Sequence, residues 1–229
     1  MKYSDLAHST TSLVFEDLSA KFTGNTVQRF DDIVIKQGNT VGSEYQWYKA
    51  YQDKSDIPMI YSYSEGALKM EYLKTYPEHF VIDEIISIVE KYKDYPVMGN
   101  HGFDEYKQRI AEHLQKNPIN NGDKLLFKLN QAHLWPTFSH GDLSIRNIIK
   151  TKDGLKLIDP LYGNRFGSYI LDYAKLLFTL KFFDGNYSAY SELMSLTQVP
   201  EIYIATECVR VATYNKRFNF IAENLIAEL

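Results

Sequence analysis

The stretch that decides the fold reads SHGDLSIRN over Ser139–Asn147 and IDP over Ile158–Pro160. Between them lie two short apolar runs separated by Lys-Asp-Gly, and an Asp-Gly pair is typical of a tight hairpin turn. A β-hairpin returns the chain to the point where it began. We therefore expect Asn147 and Asp159 to face one small volume, with Asp142 beside it.

Two carboxylates and one amide in this arrangement are the groups that phosphoryl transfer needs. One carboxylate orients the acceptor hydroxyl and takes its proton, while a second carboxylate and an amide oxygen hold Mg²⁺ against the phosphates. Asp and Asn are also common turn residues, so a structural role in an unrelated α+β protein is the alternative interpretation. The full spacing, with a strand on each side of the turn, favours the functional one.

The string resembles the catalytic loop of the aminoglycoside phosphotransferases and choline/ethanolamine kinases, which share the protein-kinase-like fold. Their pattern is His-Gly-Asp, Leu, three variable residues and Asn, followed by a hydrophobic strand that ends in Ile-Asp, and every fixed position is present here. The resemblance implies that Asp142 is the catalytic base and that Asn147 and Asp159 bind Mg²⁺. It also implies that His140 braces the loop rather than reacting.

The residues before this motif fit the same family in order. Lys36 ends a Val-Ile-Lys run, and by the resemblance it would contact the α- and β-phosphates of ATP. Glu44, on the following helix, would be its ion-pair partner. Their alternative interpretations are a strand-end surface lysine and a first-turn charge that favours the helix dipole.

Further nucleotide contacts are implied by the resemblance. The loop that covers the phosphates would consist of Thr23, Gly24, Asn25 and Thr26. Glu71 and Leu73 fall in the segment that matches the hinge, whose backbone would hydrogen-bond adenine. Arg146 either neutralises the γ-phosphate or is a solvated loop residue. Asp172 resembles the aspartate that follows the metal-binding loop, and we favour a structural role for it.

The hydrophobic pattern divides the chain into a strand-rich lobe and a helical lobe. The predicted fold class is α+β and two-lobed, with a small antiparallel sheet and one helix first, then a mainly helical lobe that contains the catalytic hairpin. We assign residues 1–75 to a nucleotide-binding lobe and 76–229 to a catalytic and substrate-binding lobe. The predicted strands are Ser12–Phe15, Ser19–Phe22, Val27–Phe30, Ile33–Lys36, Met59–Tyr63 and Ala67–Leu73. The predicted helices are Ser43–Tyr51, Phe80–Tyr92, Asp104–Gln115, Leu125–Ala132, Ile170–Phe183 and Tyr187–Leu196, with a further helical stretch around Ile202–Leu225.

Composition narrows the functional classes. The 229 residues carry a formal net charge of −4 and contain no long basic stretch, which argues against a nucleic-acid partner. A single cysteine, Cys208, excludes an internal disulfide framework. The N-terminus is polar and no apolar run approaches the length of a membrane span, so we expect a cytoplasmic protein with no membrane partner.

The resulting hypothesis is a small-molecule kinase that uses ATP and Mg²⁺. Its acceptor would be a hydroxyl of a sugar, a surface-polysaccharide precursor or an amino alcohol such as choline or ethanolamine. The alternative is a pseudokinase, a nucleotide-binding or regulatory module without catalysis, favoured by the single glycine of the phosphate loop and the short Lys36–Glu44 spacing. The resemblance covers roughly residues 12–178, and the sequence leaves the oligomeric state open.

Overall fold

The first elements of the described chain form a five-stranded antiparallel sheet, seen in a computed structural model that describes residues 15–18, 25–76, 81–97, 101–161 and 166–229. The strands lie in the order β1-β2-β3-β5-β4. Their bounds are β1 (Phe15–Asp17), β2 (Thr26–Phe30), β3 (Ile33–Gln37), β4 (Ile60–Ser64) and β5 (Ala67–Glu71). Helix α1 (Val41–Ala50) connects β3 to β4 and packs on β4 and β5.

The turn between β4 and β5 fixes the register of that strand pair. Glu65 and Gly66 have φ values of 50° and 75°, and two consecutive positive φ values produce a turn whose twist matches that of the flanking strands. On its other edge β5 pairs with β3, and this pairing brings Leu68 opposite Lys36. As a result the lysine lies in the middle of the sheet, where its side chain is buried.

The second part of the chain is helical apart from one hairpin. Its helices are α2 (Ile82–Glu90), α3 (Phe103–Lys116), α4 (Gly122–Gln131), α5 (Tyr169–Phe182), α6 (Tyr187–Thr197), α7 (Glu201–Tyr214) and α8 (Asn219–Glu228), and its hairpin is β6 (Ile148–Thr151) and β7 (Gly154–Leu157). Helix α7 contacts α3, α4, α5 and α8. Half of the residues of α5 and more than half of those of α7 are buried, as expected for helices that pack against neighbours on more than one side.

Aromatic packing and hydrogen bonds join the sheet and the helices. Trp47 on α1 stacks on Tyr51 with ring centroids 4.8 Å apart and lies 5.5 Å from Phe138. Its indole Nε1 donates a 2.8 Å hydrogen bond to the carbonyl of Ser139, at the start of the motif. The backbone N–H of Tyr76 bonds to the carbonyl of Lys150 on β6. One hydrophobic core therefore runs through both parts of the chain.

Several predicted boundaries differ from the structure. Helix α1 begins at Val41 with Thr40 in the N-cap position, so Ser43 lies inside the helix, where its hydroxyl donates to the carbonyl of Thr40. Thr26, predicted as part of a turn, is the first residue of β2. The remaining described elements agree to within a few residues, the usual uncertainty of element ends.

The predicted first and last elements differ more. Of the predicted strand Ser12–Phe15 only Phe15 is described, and it is the first residue of β1, Phe15–Asp17; the predicted strand Ser19–Phe22 lies outside the described residues. The C-terminal stretch around Ile202–Leu225, predicted as helical, is divided into two helices, α7 and α8. Asn215 ends α7, and its side chain accepts the N–H of Arg217 and starts a short 3₁₀ turn. This polar cap competes with helix continuation.

In the described part of the chain, no helix combines the length and apolar character needed to cross a membrane.

Replacement of Trp47 by Phe tests the connection between α1 and the motif. Trp47 is fully buried, so the variant loses the hydrogen bond to Ser139 and leaves a small cavity; we expect it to lower the free energy of unfolding by about 2–3 kcal/mol. Trp135→Phe is the matched control, because Trp135 is 82% exposed, and it should change stability by less than about 0.5 kcal/mol. Equal effects in urea unfolding would contradict this role of Trp47.

Candidate active site

The motif loop is held against the segment that follows β7. Gly141 has a φ of 78°, and a Cβ at this position would lie 2.4 Å from the carbonyl oxygen of Leu161. The N–H of Leu161 donates to the carbonyl of His140 at 2.9 Å. Glycine is therefore required at this position of His-Gly-Asp for two reasons, the positive φ of the backbone and the close approach of Leu161.

His140 is fully buried and braces the loop from inside. Its Nδ1 accepts the N–H of Asp142 at 3.3 Å, so the ring proton is on Nε2, which donates to the carbonyl of Ile158 at 3.0 Å. Burial lowers the pKa of His140 to about 3. The imidazole is thus neutral at physiological pH and connects the loop to the end of β7.

Asp172, near the start of α5, anchors the same loop. Its two carboxylate oxygens accept the backbone N–H groups of His140 at 2.6 Å and Gly141 at 2.8 Å. Burial raises the pKa of Asp172 to about 7, while these hydrogen bonds favour the charged form and oppose that rise. The geometry is that of a structural hydrogen-bond acceptor.

Asn147 and Asp142 are joined directly. Asn147 ends a short 3₁₀ turn, and its Nδ2 donates to the carbonyl of Asp142 at 2.8 Å and to the Asp142 Oδ2 at 3.1 Å. Because the amide nitrogen is engaged in this way, the amide oxygen is oriented away from Asp142. The carbonyl of Asn147 also accepts the N–H of Ile158 at 3.0 Å, so the hairpin brings Asp159 to the same end.

Lys36 lies between two carboxylates that come from distant parts of the sequence. Its Nζ is 2.7 Å from Glu44 Oε2 and 2.9 Å from Asp159 Oδ1. Asp159 has a φ of 58°, in the left-handed region where Asp is one of the more common non-glycine residues. The N–H of Asp159 donates to the hydroxyl of Tyr48 on α1 at 3.3 Å. The strand-rich and helical parts therefore meet at this charged cluster.

The charged groups of this cluster differ in how burial affects them. Burial opposes a charge on Lys36, but Glu44 and Asp159 together outweigh it and raise the lysine pKa. Burial also raises the pKa of Glu44 to about 7, against the opposing effect of Lys36. The Asp159 carboxylate is half-exposed, which leaves it accessible from the cleft. The lysine is therefore charged, and its more accessible partner is Asp159.

The other predicted nucleotide contacts are only partly described. Thr23 and Gly24 lie outside the described residues. Asn25 is buried and its Nδ2 donates to the Thr40 hydroxyl at 2.7 Å, while Thr26 is exposed. The Asn25 side chain also packs against Gly38, where a Cβ would lie 1.9 Å from the Asn25 Oδ1.

The hinge and Arg146 have local contacts. Glu71 ends β5, and its carboxylate accepts the N–H of Met59 at 3.1 Å. The side chain of Leu73 is buried. Arg146 is exposed, and its guanidinium lies 5.7 Å from the ring centroid of Phe183, at the C-terminal end of α5. The roles of these residues in nucleotide binding stay predictions.

Lys175 on α5 is the residue that sequence reasoning missed. Its Nζ contacts the carboxylate Oδ1 of Asp142, and its side chain is only 12% exposed. A lysine in the apolar run of α5, one helical turn after Asp172, was the available signal, because residues at i and i+3 share a helix face. The side chain therefore reaches the loop that Asp172 anchors.

The donors around the hairpin fit a magnesium ion. Asp159 offers a half-exposed carboxylate, and Asn147 offers an amide oxygen whose nitrogen is already bonded. Among the described residues, no group of three or more His, Cys, Asp and Glu side chains converges on a cation position. Mg²⁺ is usually held by one or two protein oxygens, with phosphates and water completing the shell, so this sparse set is sufficient.

Comparisons with solved structures identify the fold. Choline kinase LicA from Streptococcus pneumoniae superposes with a TM-score of 0.72 at 16% identity, covering 95% of this chain and 94% of that one. Aminoglycoside phosphotransferase APH(4)-Ia, solved with ADP and hygromycin B, gives 0.73 at 10% identity, covering 94% and 92%. A choline/ethanolamine kinase family protein from Mesorhizobium loti gives 0.60 at 14% identity, covering 96% and 88%. No protein-family model and no curated protein sequence matches the chain.

The chain thus has the two-lobed kinase-like fold of choline kinases and aminoglycoside phosphotransferases. The α+β fold class predicted from the motif is confirmed, and the likeness also covers the C-terminal helices, beyond the span of the sequence resemblance.

Removal of the Asp172 carboxylate tests the anchor of the loop. Asp172→Ala leaves the N–H groups of His140 and Gly141 without their acceptor, and we expect it to lower the free energy of unfolding by about 3 kcal/mol. Asp104→Ala is the control, since that side chain is 94% exposed and its surface ion pair should contribute less than about 1 kcal/mol. Urea unfolding of both variants measures the difference, and a similar small loss in the two would rule out the anchoring role.

Proposed function

We propose that this protein is a small-molecule kinase that transfers the γ-phosphate of ATP to an alcohol, with Mg²⁺ as cofactor. The observation that carries the proposal is the convergence of Lys36, Glu44 and Asp159 beside the Asp142–Asn147 pair. Lys36 and Asp159 are 123 positions apart in the sequence, yet their charged atoms are 2.9 Å apart. A buried lysine between two carboxylates adds little net stability to a fold, so its presence points to a function such as holding phosphates.

Each residue has a distinct role in this proposal. Glu44 holds Lys36 in place, and Lys36 binds phosphate oxygens of ATP. Asp159 and the amide oxygen of Asn147 would hold Mg²⁺, which would supply positive charge against the phosphates. Asp142 orients the acceptor hydroxyl and accepts its proton. Asn147 fixes the direction of the Asp142 carboxylate through its 3.1 Å hydrogen bond.

The ligands of similar structures support a bound nucleotide. The aminoglycoside phosphotransferase was solved with ADP and hygromycin B, and LicA was solved with AMP. We extend the nucleotide, and not the acceptor, to this chain. Its acceptor is a hydroxyl of a sugar, a surface-polysaccharide precursor or an amino alcohol of the choline or ethanolamine type.

A pseudokinase is the second candidate, and the contact between Asp142 and Lys175 favours it. A base whose carboxylate is already paired with an ammonium group is a weaker proton acceptor. In that interpretation the protein binds a nucleotide as a regulatory module and catalyses nothing.

Slow ATP hydrolysis separates the two candidates. For a kinase we expect Mg²⁺-dependent release of phosphate that is abolished in Asp159→Asn, which weakens metal binding. Asp142→Asn should lower the rate by about 100-fold or more, because it removes the base, and should keep nucleotide binding.

Asp153→Asn is the control, since Asp153 is exposed in the turn between β6 and β7. It should behave like the parent protein. Hydrolysis that continues unchanged in Asp159→Asn would overturn the kinase proposal.

A further inference from the structure

A cavity of about 370 Å³ opens beside the motif loop, between α3, α5 and α7. Ser139 and Gly141 of the loop form one wall, and Tyr106 and Phe166 contribute aromatic surface. Cavities that bind small ligands begin at about 300 Å³, so this volume suits a molecule of the size of a monosaccharide. Its lining includes Gly141, which precedes Asp142, and Lys175, whose amine contacts the Asp142 carboxylate, so the cavity lies beside the proposed base and could hold an acceptor.

The side chains around this cavity are rich in positive charge. Four basic residues from three helices line it: Arg109 and Lys116 of α3, Lys175 of α5 and Arg210 of α7. Lys116 is exposed at the rim and forms no ion pair with another described residue. A concave wall that carries several cations raises the local concentration of anions.

The acidic residues of the cavity are each engaged by a neighbour. Asp172 accepts the two backbone N–H groups of the motif loop, and Glu207 is bound by Arg210 at 2.7 Å. Glu112 accepts the side-chain amide of Gln108 at 3.3 Å. Asp172 and Glu207 are therefore poorly placed to bind a cationic ligand, and the four basic side chains of the wall exceed its three carboxylates by one charge.

Lys175 connects this wall to the reacting position. The acceptor hydroxyl must come within hydrogen-bond distance of the Asp142 carboxylate, which the Lys175 amine already touches. A substituent near that hydroxyl consequently meets an amine held by the rigid helix α5. A second cation would be repelled there, whereas an anion would replace Asp142 as the partner of Lys175 and release the carboxylate for the hydroxyl.

We propose that the acceptor is an alcohol that carries an anionic group, a carboxylate or a phosphate, which Lys175 and the basic wall of the cavity bind. This inference rests on the proposed kinase function and narrows its acceptor. It favours a sugar acid or a sugar phosphate over choline, ethanolamine and neutral sugars. The aromatic surface of Tyr106 and Phe166 can pack against the carbon face of such a sugar.

The pKa of Lys175 is consistent with a role in binding an anion. Burial and the nearby Arg210 lower the pKa of Lys175 to about 7, against the opposing effect of Glu207. An anionic ligand would add a second group that stabilises the charge, so anion binding and protonation of Lys175 should support each other.

Calorimetric binding of four matched sugars tests the inference, with and without MgADP. The probes are D-glucuronate, D-glucose 6-phosphate, neutral D-glucose and cationic D-glucosamine, with choline as a fifth ligand. We expect one of the anionic sugars to bind at least about tenfold more tightly than glucose, since charged hydrogen bonds contribute that much, and the preference between the two distinguishes a carboxylate from a phosphate.

Two variants and one control assign the effect to the cavity. Lys175→Met should weaken binding of the preferred anion about tenfold or more. Lys116→Glu reverses a charge at an exposed rim position and should weaken it without disturbing the core, which guards against a Lys175 variant that fails to fold. Lys152→Met, in the exposed turn between β6 and β7, should bind like the parent protein.

The outcomes distinguish a failure of this inference from a failure of the proposed kinase function. Glucosamine or choline binding as tightly as the anionic sugars would overturn the inference, as would anion binding that both lysine variants leave unchanged. Failure of both anionic sugars to bind at millimolar concentrations to a protein that binds MgADP would overturn it as well. Absence of MgADP binding would instead count against the kinase proposal, while the sugar affinities measured without nucleotide still decide the acceptor question.

Discussion

The contact of Lys36 with Glu44 and Asp159 is the interaction on which the rest of the site depends. Three separate elements, β3, α1 and the end of β7, deliver one charged group each to a volume a few ångströms across. Desolvation of those charges is costly, and it is offset only while all three elements keep their positions. One ammonium group thus couples three features of the fold. They are the sheet register that places Lys36, the packing of α1, and the hairpin that brings Asp159 back to the same place.

A second set of buried polar contacts controls the motif loop. The Asp172 carboxylate accepts hydrogen bonds from backbone N–H groups of the loop, and the neutral His140 ring donates one to the carbonyl of Ile158 after β7. Trp47 on α1 donates a hydrogen bond to the same loop. None of these side chains needs to touch a substrate. They determine where Asp142 and Asn147 point, so the geometry of the reacting groups comes from partners in α1 and α5.

Much of this arrangement could be predicted from local sequence. The spacing of Asp142, Asn147 and Asp159 specified the hairpin, because strand and turn preferences act over a few residues. The β-branched run before Lys36 specified a central strand for the same reason. Glu44 could be proposed as the lysine's partner only through the family resemblance, since their contact depends on how α1 packs on the sheet.

Other features depend on tertiary contacts that local patterns do not encode. The approach of Lys175 to Asp142 follows from the way α5 crosses the motif loop, and the basic cavity needs α3, α5 and α7 together. The break at Asn215 was missed because the apolar pattern continues past it, while a side-chain cap ends the helix. Such errors arise where one polar contact outweighs a longer hydrophobic pattern.

The most direct test of the account is the melting temperature of the protein with ATP, in the presence and in the absence of Mg²⁺. The account predicts a rise that needs Mg²⁺, since Asp159 and Asn147 offer the oxygen donors with which proteins hold Mg²⁺ against phosphates. A ligand at a hundred times its dissociation constant stabilises a fold by about 2.7 kcal/mol. Lys36→Met should lose most of that rise. No shift at millimolar ATP with Mg²⁺ would contradict the claim that these residues form a nucleotide site.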